Sequence, residues 1–342
     1  LKQDPASERG ALMRPPEEIV AGLTTGDRTV LARAITLIES DRVEHRVLAR
    51  EVVSRCAEVT PEGTMRIAIS GVPGAGKSTF IEVFGWILCE AGHRVAVLTV
   101  DPSSSRSGGS ILGDKTRMEH LSRRKDCFIR TSPTSGALGG VTRRTRETIG
   151  LCEAAGYDVI LVETVGVGQS EIAVHDMVDC FVLLLISGAG DELQGMKKGI
   201  VEISDIMLIN KADGDNCLAA EATRAELEGA ARLLRPATEG WEPPVLSVSS
   251  TEGRGLDGVW ATIRSYFQHI RESGQFTTKR REQALAWYRS VLEQGLLARF
   301  RSDRSVEAER VRVEQAVLAG ELEPSAAAEE LLDRFLPSNR PA

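Results

Sequence analysis

The sequence predicts an α/β fold: a mainly parallel sheet flanked by helices, with a helical extension before it and a helical arm after it. Three observations carry that prediction. Between residues 63 and 274, short β-branched runs alternate with helical segments, the pattern that crossovers between parallel strands need. Those runs are continuously apolar, as in strands covered on both faces. On either side of that stretch only helical spacing is found.

Taken in order, residues 1–62 open with a polar, Pro-rich stretch. They then place Leu31, Ala34, Ile35, Ile38 and later Val47, Val52 and Val53 at three- and four-residue spacing, which predicts an N-terminal helical extension. Six strands are expected: MRIAIS (65–70), RVAVLTV (94–100), YDVILVE (157–163), CFVLLLI (180–186), DIMLIN (205–210) and PVLSV (244–248). They define a ligand-binding domain over residues 63–274. In residues 275–342 helices are expected at roughly 279–301, 305–319 and 325–335. Leu285, Tyr288, Val291, Leu292, Leu296, Leu297 and Phe300 recur there at helical spacing, more than an outlying arm can hide alone. The arm is therefore expected to pair with a second copy as a homodimer.

Composition narrows the function. At 42 Lys+Arg against 49 Asp+Glu the net charge is −7, which disfavours a chain that lives on nucleic-acid phosphates. The longest apolar run, Cys180 to Ile186, is far short of the ~20 residues that span a bilayer, so no membrane partner is expected. Six cysteines lie 25 to 38 residues apart with no CxxC, and are expected to be buried thiols in a reducing compartment.

The run Gly71-Val72-Pro73-Gly74-Ala75-Gly76-Lys77-Ser78-Thr79 fits GxxxxGK[ST] between a predicted strand and a predicted helix, which identifies a P-loop NTPase. Its glycines let successive N–H groups converge on phosphate oxygens at a helix N-terminus. Lys77 is expected to bridge the β- and γ-phosphates, and Ser78 to ligate Mg²⁺. Two further carboxylates end strands beside this loop: Asp101 and Glu163. Both are assigned to the metal side, Glu163 through water because of its extra methylene. In Glu163-Thr164-Val165-Gly166, a DxxG-type sensor with Glu for Asp, the Gly166 N–H is expected to meet the γ-phosphate. Val167 stands where many small GTPases carry the glutamine that orients water, so intrinsic hydrolysis should be slow. Lys77, Asp101 and Asp114 are the in-chain candidates for the chemistry.

Asn210-Lys211-Ala212-Asp213 fits NKxD after the strand DIMLIN. A carboxylate at Asp213 can accept from N1–H and the 2-amino group of guanine, and adenine offers neither. A site built around such an acceptor rejects a ligand lacking the donor by ~10⁴-fold. Asn210 is expected to tie this segment to the phosphate loop, Lys211 to lie along the base, and Ser249, Ser250 and Thr251 to give backbone donors to the guanine oxygen. GTP and GDP are therefore expected as ligands. The Ser/Gly-rich stretch 102–113 and the mixed-charge stretch 188–198 are candidate switches.

Taken together, GVPGAGKST, VDPSSSRSGGSILGDKTRM, VILVETVGVGQSE, GAGDELQGMKKG and NKAD, in this order, resemble the methylmalonyl-CoA mutase-associated GTPases. This MeaB/ArgK family includes the human cobalamin type A protein. The resemblance runs from about Arg28 into the C-terminal helices. It implies a SIMIBI-class G domain, a C-terminal dimerisation arm, and a GTP-timed chaperone that loads adenosylcobalamin into an acyl-CoA mutase and protects or rescues it. In that family the segment matching Ser187 to Lys198 is a third switch, so Asp191, Glu192, Gln194 and Lys197 take the signalling role. No cobalamin site of its own is expected. Cytoplasmic localisation in a bacterium is expected, or the mitochondrial matrix if a leader precedes Leu1. Two rivals are an ATPase or kinase serving basic amino-acid transport, against which NKAD argues, and a nickel-type metal chaperone. The second should bring a Cys/His cluster, and the five histidines form none.

Overall fold

A computed structural model describes residues 14–40, 42–101, 118–133, 138–164, 170–187 and 198–336. The chain divides into two compact units, 1–280 and 281–342. In the first, three helices, α1 (Pro16–Thr24), α2 (Arg28–Glu39) and α3 (Val43–Val59), precede the sheet. The Asp27 carboxylate caps α2 by accepting from the N–H groups of Thr29 and Val30.

The sheet has seven strands in the order β3-β2-β4-β1-β5-β6-β7, and every neighbouring pair is parallel. They are β1 (Met65–Gly71), β2 (Val95–Asp101), β3 (Cys127–Pro133), β4 (Val159–Thr164), β5 (Cys180–Ile186), β6 (Ile206–Asn210) and β7 (Val245–Ser247). Six follow the apolar runs to within two residues. The seventh, β3, was not expected. It lies at the sheet edge, and its sequence CFIRTSP lacks the continuous apolar run that marks a strand covered on both faces.

Helices cross between the strands: α4 (Lys77–Glu90), α5 (Glu119–Ser122), α6 (Leu138–Ala154), α7 (Ser170–His175), α8 (Lys198–Glu202), α9 (Cys217–Ala231) and α10 (Leu256–Glu272). One face of the sheet meets α1–α3, where Leu31, Ile35, Val52 and Cys56 share a core with Ala96, Leu98 and Val162. The other face meets α4 and α10 through Phe80, Phe84, Val259 and Ile263. The N-terminal helices thus complete the sheet's own core.

Charged side chains are buried at the amino ends of β1 and β5. Arg66 Nε and Nη2 donate to the two Glu153 oxygens at 2.7 and 2.8 Å, and Thr64 Oγ1 donates to the same carboxylate at 2.6 Å. The next helix, α11 (Gln275–Ser302), begins here. Arg280 forks onto both Asp179 oxygens at 2.9 and 2.7 Å and onto the Thr64 carbonyl at 2.8 Å, while Lys279 Nζ donates to the Asp179 carbonyl at 2.7 Å. Glu153 and Asp179 are each 1% exposed.

The second unit holds the rest of α11 together with α12 (Arg304–Leu318) and α13 (Pro324–Phe335). Asp303 and Glu323 cap the two shorter helices. Val306, Val313 and Ala327 are buried and Phe300 meets Phe335 edge to face, whereas Leu285, Tyr288, Leu292, Leu296 and Leu297 are exposed. Among the described residues no helix is long and apolar enough to cross a membrane. All six cysteines are free thiols. Five are buried as expected, but Cys217, at the first position of α9, is half-exposed.

Candidate nucleotide-binding site

The site forms at the carboxyl ends of the central strands, where a parallel sheet binds ligands. β1 lies between β4 and β5 and runs directly into the phosphate loop. Gly71 is confined to glycine: its φ is +146°, and a Cβ would stand 2.2 Å from the Leu184 carbonyl oxygen on β5. Gly76 caps α4 in the left-handed region at φ +88°, where a Cβ would stand 2.7 Å from Asn210 Nδ2.

Val72, Pro73 and Gly74 form the turn, Ala75 is buried beneath it, and Lys77, Ser78 and Thr79 open α4. Lys77 is folded back into the loop, its Nζ donating to the Gly71 carbonyl at 2.7 Å and the Val72 carbonyl at 3.1 Å. Burial pulls the lysine below its ordinary value, and the charges of Glu163 and Glu171 oppose that pull. Ser78 Oγ donates to Glu163 Oε1 at 2.8 Å, so a hydroxyl and a carboxylate from separate elements already converge. Asp101 is the last residue of β2, paired with Pro133 of β3. Asp114, Gly166, Asp191, Glu192, Gln194 and Lys197 lie outside the described residues.

Around the base-reading segment, Asn210 is buried and bridges two loops. Its Nδ2 donates to the Ala75 carbonyl at 2.8 Å, and its Oδ1 accepts from Ser250 N and Oγ at 3.2 and 2.8 Å. Lys211 takes φ +58°, a turn that brings Asp213 round toward Ser249. Asp213 Oδ2 accepts from Ser249 Oγ at 2.6 Å and from Thr251 Oγ1 at 2.9 Å. Those hydroxyls hold its carboxyl below the usual carboxylate range, so it is an anion at neutral pH. The backbone N–H groups of Ser249 and Ser250 are engaged within the protein, by the Arg254 carbonyl at 3.0 Å and by Asn210.

Sequence reasoning missed the braces of this loop. Arg254 donates to the Ala212 carbonyl and contacts Cys217 Sγ at 3.3 Å, and Asn216 Nδ2 donates to the Lys211 carbonyl at 2.6 Å. The only hint was the Gly253-Arg254-Gly255 turn before α10, which presents the arginine back toward the segment it supports. Among the described residues no group of His, Cys, Asp and Glu side chains is placed to hold a metal by itself.

The model of the family described as "Methylmalonyl Co-A mutase-associated GTPase MeaB" matches residues 31–305. A Mycobacterium tuberculosis protein described as a probable GTPase is 50% identical over 323 residues, covering 93% of this chain and 95% of that one. The mitochondrial methylmalonic aciduria type A homolog of Mus musculus is 48% identical over 328 residues, covering 93% of this chain and 79% of its own. A crystal structure of a LAO/AO transport system kinase aligns with TM-score 0.73 at 35% identity, over 99% of this chain and 100% of that one. A phosphate loop on the central strand, a carboxylate bonded to its serine, a braced NKxD segment and these matches all agree: the chain belongs to the MeaB family of methylmalonyl-CoA mutase-associated GTPases.

Proposed function

We propose that this protein hydrolyses GTP to gate adenosylcobalamin loading, protection and reactivation of a B12-dependent acyl-CoA mutase, methylmalonyl-CoA mutase or a close relative. Membership of a mutase-associated GTPase family supports the client. The observation that carries the choice of nucleotide is Asp213, an ionised acceptor fixed by two hydroxyls.

Lys77 leaves the Gly71 and Val72 carbonyls and turns to the β- and γ-phosphates. The loop Gly71 to Thr79 wraps the phosphates and gives them backbone N–H groups from residues other than Pro73, which has none, and Gly166 senses the γ-phosphate. Lys211 and Asp213 meet the base, while Asn210 and the 249–251 turn, whose Ser249 and Ser250 N–H groups are engaged within the protein, hold that segment in place. The pairing of the Ser78 hydroxyl with Glu163 fits Mg²⁺, a hard cation that takes oxygen ligands, with Asp101 as the third member of the set. When bound, Mg²⁺ neutralises charge on the phosphate oxygens during transfer. Asp101 and Asp114 remain the candidates for orienting water.

With Val167 after the sensor glycine, the isolated protein should turn over far more slowly than the enzyme median of ~10 s⁻¹. Adding the cognate mutase is expected to stimulate hydrolysis, and Lys197→Ala to weaken that stimulation while GTP affinity stays within about twofold, since a switch acts through its differential contacts with two states. Rates measured with and without mutase decide it. No stimulation by any acyl-CoA mutase removes the client assignment, and equal stimulation of both proteins removes the role of Lys197.

The exposed apolar positions of α11 support a homodimer formed through residues 281–342. Light scattering should find the full chain dimeric and a chain ending at residue 284 monomeric. The alternative, a nucleotide-dependent ATPase or kinase linked to basic amino-acid transport, draws on the name of the LAO/AO transport system kinase. Calorimetry with ATP and GTP separates the two readings, because only the guanine reading requires that ATP fail to bind.

A further inference from the structure

Asn216 lies outside the NKxD motif, at the end of the short turn Gly214–Asn216 that leads into α9, yet it closes the loop that carries Asp213. Lys211, at φ +58°, is the one non-glycine residue in the left-handed region among the described residues. That conformation is costly for a residue with a Cβ and persists only where its surroundings hold it. Asn216 Nδ2 donates to the Lys211 carbonyl at 2.6 Å, and Asn216 N donates to the Asp213 carbonyl at 3.0 Å. The carbonyl between them, that of Ala212, accepts from Arg254 Nη2 and from Cys217 Sγ at 3.4 Å. Three successive carbonyls of the base-reading segment are thus tied down.

The same amide reaches a third element. A carbonyl can only accept, so the bond to Lys211 fixes which end of the Asn216 amide is nitrogen and leaves Oδ1 as an acceptor. Ser187 Oγ donates to that oxygen at 2.7 Å. Ser187 follows directly on β5, whose last residue, Ile186, is paired with Asn210 at the start of the motif. The segment that reads the base is therefore joined to the end of β5 twice, through the sheet at Asn210 and through the Asn216 amide.

We propose that Asn216 is a positioning residue that determines guanine selectivity: with Ser187 fixing its Oδ1, its amide locks the left-handed Lys211 turn and so places the Asp213 carboxylate for the N1–H and 2-amino groups. This deepens the nucleotide reading above and rests on it. An acceptor already in place gives up little freedom when the base arrives, which is how a residue that never touches the nucleotide contributes affinity.

Inosine and guanine nucleotides separate this role from mere support of the fold, because inosine keeps N1–H and lacks the 2-amino group. The full chain, Asn216→Ala, Ser187→Ala and the double variant are titrated with GTP and with ITP in competition with a fluorescent GDP analogue. The parent should prefer GTP by at least about tenfold, the worth of one hydrogen bond to a charged acceptor. Asn216→Ala is expected to lower GTP affinity about tenfold but ITP affinity no more than about threefold, so the preference shrinks. Ser187→Ala should lower GTP affinity about threefold when Asn216 is present and less than about 1.5-fold when it is absent. It should reduce the preference for GTP as well, and so carries the test if Asn216→Ala does not fold. Equal losses of GTP and ITP in Asn216→Ala, or no loss of either, overturn the proposal, as does a Ser187→Ala loss that is the same in both backgrounds. Asp213→Asn tells such a failure from one of the reading beneath it: unchanged GTP affinity there removes both, and a large loss there confines the failure to Asn216.

Discussion

Asp213→Asn is expected to lower GTP and GDP affinity by about 10²- to 10⁴-fold, since two hydrogen bonds to a charged acceptor are each worth about 1.5–3 kcal/mol. It should raise affinity for xanthosine nucleotides, whose 2-oxo group can accept from the new amide. The fold should not suffer, because Ser249 and Thr251 donate to Asp213 and an amide oxygen can still accept from them. Calorimetry with GTP, XTP and ATP, beside a melting curve, reads both outcomes. If the variant keeps full GTP affinity, the base is read elsewhere and the guanine preference loses its physical ground.

The second large effect is expected far from the nucleotide. Arg280→Ala should destabilise the first unit by about 3–5 kcal/mol, because it leaves a buried carboxylate without its charged partner and with only the Arg66 N–H still donating to it at 2.9 Å. Asp179 loses both arms of a bidentate bond, and the Thr64 carbonyl loses its donor. Arg280→Lys should recover only part, because a lysine cannot fork. A chain shortened to residue 274 loses Lys279 and Arg280 together and should fall at least as far, while one ending at residue 284 should not. Urea midpoints at constant slope measure this. A 274-residue chain as stable as the longer one would show that the pairs merely decorate the surface of the sheet.

How much of this was legible follows from the range of the interactions. Strands covered on both faces announce themselves in consecutive residues, which is why β1, β4 and β5 were found and the edge strand β3 was not. The phosphate loop was legible because its glycines answer local backbone demands at Gly71 and Gly76. The NKxD segment was legible as a motif, but its support was not. Arg254 reaches Ala212, and Arg280 reaches Thr64 and Asp179, across separations that no periodicity encodes. Asn216 was hidden differently, since an asparagine in a polar turn looks solvated until the fold gives its amide two partners.

The place of β1 has a consequence for the order in which the protein can be made. The strand that leads into the phosphate loop leaves the ribosome early, but Met65 must wait for Val159 and Ile67 for Cys180 before either edge is paired. Gly71 cannot take its place against Leu184 until β5 has been synthesised. During that interval the nascent chain exposes an apolar strand with two open edges, the kind of segment that seeks the wrong partner. A guanine nucleotide cannot rescue it then, since Asn210 and Asp213 come later still. What ends the exposure of β1 is therefore synthesis of the sheet's second half, with the pairing of Met65 to Val159 and of Ile67 to Cys180, and not the arrival of a ligand.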